Sequence, residues 1–344
     1  MDTEVLVYID IDGAPVLTGR LWARMRKGRN SATFEYDQDW LTHPARFSLE
    51  PALQLGPGPF HTPIGKPLFG AIGDSAPDRW GRALMRRAER RRAASAGETP
   101  RTLREIDYLL MVNDEARQGA LRFVLEPGGP FLAPGDATPI PPLLELPRLL
   151  SAAEHVVGES DSDEDLRLLL ASGSSLGGAR PKASVRDRDG HLAFAKFPHK
   201  DDEIDVVRWE AVALSLAEKA GIPVPQSRME TVADKSILLL RRFDRVDDAR
   251  IPFLSAMSML GANDNETRSY LEFVDALRQY GAEVYPIPLD TCVNLTNLDD
   301  RSDLTWVGNQ LNLVADRVFG RHTLYSCQAE PNVREWKKFT TSGY

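Results

Sequence analysis

Short runs of β-forming residues punctuated by turn pairs alternate along this chain with stretches of helical periodicity. Val5-Leu6-Val7-Tyr8-Ile9 predicts an opening strand, Asp12-Gly13 a turn, and the stretch from Val16 to Trp22 a second strand, together a hairpin. Ala32 to Tyr36 alternates apolar and polar positions and predicts a third strand, whereas the prolines and glycines between Pro51 and Pro67 predict a loop. Ser75, three residues before Asp78 and followed by Pro77, resembles a helix cap. The helix it opens runs through Trp80, Leu84 and Ala88 and stops near Gly97.

A proline- and glycine-rich stretch from Pro127 to Pro147 marks the expected boundary between two subdomains. Beyond it, Leu149, Leu150, Ala153 and Val156 share one helical face. The acidic run from Glu159 to Asp165 then links to a further helix and caps its N-terminus. From Val185 the period turns to strands, with Asp189-Gly190 as the turn between the stretches 184–187 and 192–197. Asp205 to Ala220 is helical in period, ending at Gly221, and strands follow at Met229–Val232 and Ser236–Arg241. Ser269 to Tyr280 predicts a last helix ending at Gly281.

Composition narrows the function classes. The 344 residues suffice for two domains or one large two-lobed one, and 42% hydrophobic with 27% charged residues is ordinary for a globular protein. A net charge of −8 argues against a protein that coats nucleic acid or an anionic membrane. One basic helix does stand out, with seven arginines between Arg79 and Arg92. Such a face can grip phosphate backbones, but a solvated or acid-paired face is the plainer reading. The acidic N-terminus lacks a secretion pattern, no apolar run approaches a bilayer span, and Cys292 and Cys327 form no metal or disulfide motif. A reducing cytoplasm is the expected home.

The order of elements from Gly173 to Arg245 carries the chemistry. A small-residue loop is followed by a strand, a turn, a strand with a lysine, a helix with a glutamate, and two more strands. A nucleotide-binding kinase lobe needs that order: backbone N–H groups cover phosphates, a strand lysine contacts them, and a helix carboxylate holds the lysine. Lys196 and Glu210 are the candidates, although a strand lysine that merely faces solvent and a glutamate that merely decorates a helix fit the same spacing. The loop is not a Walker motif, since Gly173 to Lys182 lacks the Gly-Lys-Ser/Thr ending.

The string from Ser174 to Ala183 (SSLGGARPKA) resembles the signature loop of the HipA-like toxin kinases. Arg242-Phe243-Asp244-Arg245 resembles that family's RFDR strand end, Leu254-Ser255-Ala256 the motif after it, and Asp78-Arg79-Trp80-Gly81-Arg82 its N-terminal PDxWGR segment. The stretches 107–110 and 119–123 match as well, so the resemblance covers about residues 5 to 282. It implies an ATP- and Mg2+-dependent serine/threonine protein kinase, the toxin of a toxin–antitoxin pair. The implied partners are a helix-turn-helix antitoxin and a protein substrate of the translation machinery, with nucleic acid met only through the antitoxin and no membrane. By the same resemblance Ser175 is the autophosphorylated serine of a loop that includes Gly177 and Gly178. Lys196 is the ATP lysine, oriented by Glu210, and Leu239 lies in the hinge against adenine.

The family's base lies in a segment resembling Asn-Thr-Asp-Asp-His-x-x-Asn. Here Pro286 and Pro288 oppose the helix expected before it, and the nearest echo, from Asn297 to Arg301, makes Asp299 the base candidate and Asp316 the metal candidate. The expected fold is therefore α+β: an N-terminal β-rich subdomain with helices (1–125), a protein-kinase-like lobe (126–285), and a divergent tail (286–344) in place of a full C-terminal helical lobe. A catalytically inactive, antitoxin-binding relative is the alternative.

Overall fold

The computed structural model describes residues 2–26, 28–133, 139–173, 178–219, 224–246, 249–263 and 266–284. Two antiparallel sheets and their flanking helices make an α+β fold. The first sheet takes its strands from β1 (Thr3–Ile11), β2 (Ala14–Arg26), β3 (Arg29–Tyr36), β4 (Pro59–His61) and β5 (Leu121–Val124), in the order β4-β3-β2-β1-β5. Asp12 and Gly13, both at positive φ, close the β1–β2 hairpin as the sequence predicts. β4 corrects the prediction for 51–67: the proline-rich stretch carries a short edge strand, because Pro59 and its neighbours need donate little to a ladder at the rim.

Helices α1 (Gln38–Thr42), α2 (Gly70–Gly73), α3 (Arg79–Ala96) and α4 (Glu105–Met111) lie between β3 and β5. The cap of α3 is also a correction. Asp78, not Ser75, accepts the Gly81 N–H at 2.8 Å, while the Ser75 hydroxyl donates to the Ile72 carbonyl. A carboxylate at this position both satisfies an orphan donor and faces the positive end of the helix dipole. At the other end Gly97, at φ +65°, stops the helix where predicted.

Helices α5 (Leu146–Val157) and α6 (Asp163–Ala171) precede the second sheet. Ser162 and Asp165 form a capping box at the start of α6, where the acidic run was expected to cap. The second sheet holds β6 (Lys182–Arg186), β7 (Leu192–Lys196), β8 (Ser227–Val232) and β9 (Lys235–Arg241) in the order β6-β7-β9-β8, with α7 (Val206–Lys219) between β7 and β8. A small ribbon of β10 (Arg245–Val246) and β11 (Ala249–Arg250) leads to α8 (Ala256–Met259) and α9 (Tyr270–Val284). α9 runs past Gly281, the expected stop. An interior glycine costs a helix only about 1 kcal/mol, and Val284 is buried in the cluster α9 shares with α8.

Alternate residues of the second sheet serve two apolar layers. Ala183, Val185, Ala193, Ala195, Ile237 and Leu239 meet α5 and α6 on one face, joined there by Trp80 and Leu84 of α3. Phe194, Leu238 and Leu240 meet Val207 and Leu214 of α7 on the other. α3, from the N-terminal half of the chain, thus helps to build the core of the second sheet.

The RFDR segment fastens the two sheets together. Asp244 accepts from Arg242 at 2.5 and 2.8 Å, from Arg245 at 2.9 Å and from the Gly119 N–H at 2.8 Å. Arg242 in turn donates to the Ala116 and Arg117 carbonyls at 2.7 and 2.9 Å, just before β5. Burial pushes the Asp244 carboxyl up, but the two guanidiniums and the Gly119 N–H outweigh it and hold the group far below the usual carboxylate range. Every buried charge in this seam has a partner, which is the condition for its being tolerated at all.

Candidate functional site

β7 and α7 bring the candidate lysine and glutamate together. Lys196 ends β7 and shares with Phe194 the face that looks toward α7, because side chains alternate along a strand. Asp205, just before the helix, accepts the Arg208 N–H at 3.0 Å, and Glu210 follows in the first turns of α7. Lys196 Nζ donates to Glu210 Oε1. The lysine side chain is 33% exposed and the glutamate 22%, so the ammonium is held on one side and open on the other.

A second pair lies next to the first. Lys182 of β6 is the register partner of Lys196 across the β6–β7 ladder, so the two lysines share a face. Lys182 Nζ lies 2.6 Å from Asp78 Oδ2, and the two side chains are only 5% and 4% exposed. Burial pushes the Asp78 carboxyl up and the Lys182 ammonium down, and each charge partly offsets the other's shift. The charges of Lys196 and Glu210 also act on Lys182. Trp80 completes the contact: its indole N–H donates to the Lys182 carbonyl at 3.1 Å and its backbone N–H to the Gly178 carbonyl at 3.3 Å. Gly178 has φ +96°, and a Cβ there would stand 3.4 Å from Lys182 Nζ, so glycine leaves the backbone free to lie over the ammonium.

Leu239 lies elsewhere. It is 2% exposed, and its side chain packs in the cluster facing α5 and α6, on the sheet face opposite Lys196. Ser175, Gly177, Asp299 and Asp316 lie outside the described residues, as does the predicted helix stop at Gly221. Among the described residues, no group of three or more His, Cys, Asp or Glu side chains is placed to hold a metal ion. A cavity of ≈ 660 Å³ lies between α7 and the second sheet, lined by Leu192, Leu214, Val224, Arg228, Leu238 and the candidate Leu239, and neither Lys196 nor Glu210 lines it.

The basic helix resolves into acid pairs. Arg82 meets Glu105 at 2.6 Å, Arg87 meets Asp161 at 2.5 Å, Arg91 meets Asp163 at 3.3 Å, and Arg92 meets Glu89 and Glu98 at 2.9 and 2.8 Å. Sequence reasoning missed Asp78, Trp80 and Lys182 as the buried support beside the Lys196–Glu210 pair. All three sat inside motif strings, but 104 positions separate Asp78 from Lys182 and nothing local pairs them.

A lysine and a glutamate are thus joined across a four-stranded antiparallel sheet and its helix, with Gly178 beside the neighbouring Lys182. Comparison with known families adds one match: residues 174–290 are similar to the HipA-like C-terminal domain. A solved structure of the Shewanella oneidensis MR-1 toxin–antitoxin system, HipA, HipB and its operator DNA complex, aligns with a TM-score of 0.49 at 15% identity. The alignment covers 90% of this chain and 68% of that one. No curated protein matches the chain. Among the described residues no helix is long and apolar enough to cross a membrane.

Proposed function

We propose that this chain is a HipA-like toxin kinase, which transfers a phosphoryl group from ATP to a serine or threonine of a protein of the translation machinery and is held by a helix-turn-helix antitoxin. The Lys196–Glu210 pair carries the reading. An ammonium anchored by a carboxylate on one side and exposed on the other is suited to phosphate oxygens, and the small Gly178 stands over the neighbouring Lys182. The donor set therefore fits a nucleotide triphosphate. Magnesium, when bound, supplies charge neutralisation on the phosphates. Lys196 would orient the phosphates, and Glu210 would keep the lysine in place and charged.

The test is nucleotide binding followed by intact mass. Wild-type protein with Mg2+ and ATP should bind the nucleotide and gain one phosphate, assigned by fragmentation to Ser175, and Lys196→Ala should do neither. Nucleotide binding without phosphate gain, with antitoxin binding retained, would instead support an inactive interaction protein. No binding of ATP by the wild type would refute the nucleotide reading.

A further inference from the structure

The structure assigns to Asp78 a role in the nucleotide site that its place in the sequence does not suggest: it holds Lys182 so that Glu210 stays with Lys196. This inference rests on the nucleotide reading of Lys196. Two amines on one sheet face, in register across β6 and β7, compete for any carboxylate within reach. Glu210 is within electrostatic reach of both, and it bonds Lys196. Asp78 settles the competition because it is buried, lies 2.6 Å from Lys182 Nζ, and is fixed by its own task as the cap of α3. Trp80 holds the same joint through two bonds to the backbone of Gly178 and Lys182, so the carboxylate cannot drift away from the amine. A residue of the first helix-rich segment thereby sets the charge arrangement of a site on the second sheet. Asp78 is a positioning residue and not a catalytic one, since it acts through Lys182 and Glu210.

Removing the Asp78 charge leaves Lys182 buried, with Glu210 the other carboxylate whose charge acts on it. Lys196 then loses its anchor. Asp78→Asn is the informative change because asparagine caps a helix as well as aspartate does, so the start of α3 is kept. MgATP affinity, measured by calorimetry on the full chain, should weaken about tenfold or more in D78N, the size of losing one charge-supported contact. The double variant D78N/K182M, which removes the competing amine as well, should regain most of the wild-type affinity. A purely structural role would not give that rescue. D78N binding like the wild type would overturn the inference. So would a double variant that folds but binds as weakly as D78N, and this arm remains available if D78N alone fails to fold. Failure of the wild type to bind MgATP would instead refute the nucleotide reading itself.

Discussion

Asp244→Asn tests the seam between the two sheets. The Asp244 and Arg242 side chains are both 0% exposed and Arg245 is 9% exposed, so neutralising the carboxylate leaves two buried guanidiniums without the counter-charge that both contact. Breaking a buried pair from one side costs about 3–5 kcal/mol. A domain's whole stability is about 5–15 kcal/mol, so the loss takes between about a fifth and the whole of it. Urea denaturation followed by tryptophan fluorescence should show the midpoint fall accordingly. Glu145→Gln serves as the surface control. Its partner Arg148 is 57% exposed, and solvent-screened pairs of this kind contribute little, so the midpoint should not move measurably. A D244N protein within about 1 kcal/mol of wild type would show that the arginines find other counter-charges, and the argument from burial would fail.

The junction of α2 and α8 predicts a pH dependence. Burial and the nearby Asp74 charge raise Glu50 to about 7, and burial raises Asp74 to about 6 although Ser255 and Ser258 donate to it. A carboxyl raised in the folded state binds more protons there than in the unfolded chain, so its contribution to stability falls as pH rises. For Glu50 the fall spans its ordinary value to about 7 and amounts to about 3 kcal/mol. Wild type minus Glu50→Gln, compared by denaturation at pH 5 and pH 8, should shift against wild type at the higher pH; a constant difference counts against it. Gly173→Ala should destabilise the chain by more than about 2 kcal/mol, because φ is +67° and the new Cβ would meet the Ala116 Cβ at 2.1 Å. A thermal midpoint equal to wild type would contradict that close approach. Trp80→Phe keeps the ring but removes its N–H bond to Lys182, and a loss of about 1 kcal/mol is expected in the same assay.

Local patterns in the sequence foretold local structure and little beyond it. The Asp12-Gly13 hairpin, the Gly97 stop and the β6–β7 ladder follow from turn chemistry and period, which act within a few residues. The Lys196–Glu210 pair was also within reach, because a strand and the helix after it bring residues 14 positions apart together. Ser75 was mistaken for a cap because pattern alone cannot tell which of two nearby acceptors turns toward the helix. The arginines of α3 show the same limit at longer range. For Arg87 and Arg91 the partners Asp161 and Asp163 stand in an acidic run some 70 positions away, and only folding shows that they meet. For Asp78 and Lys182 even a charge pattern is lacking, since each is a single residue inside a motif.

The seam also has a consequence for the order of synthesis. Gly119 leaves the ribosome 125 residues ahead of Asp244. At translation speeds of about 5–20 residues per second that interval lasts roughly 6–25 s. Until it ends, the Gly119 amide and the Ala116 and Arg117 carbonyls have only water for partners, next to a strand, β5, at the rim of its sheet. The arrival of Arg242 to Arg245 is the event that closes this window.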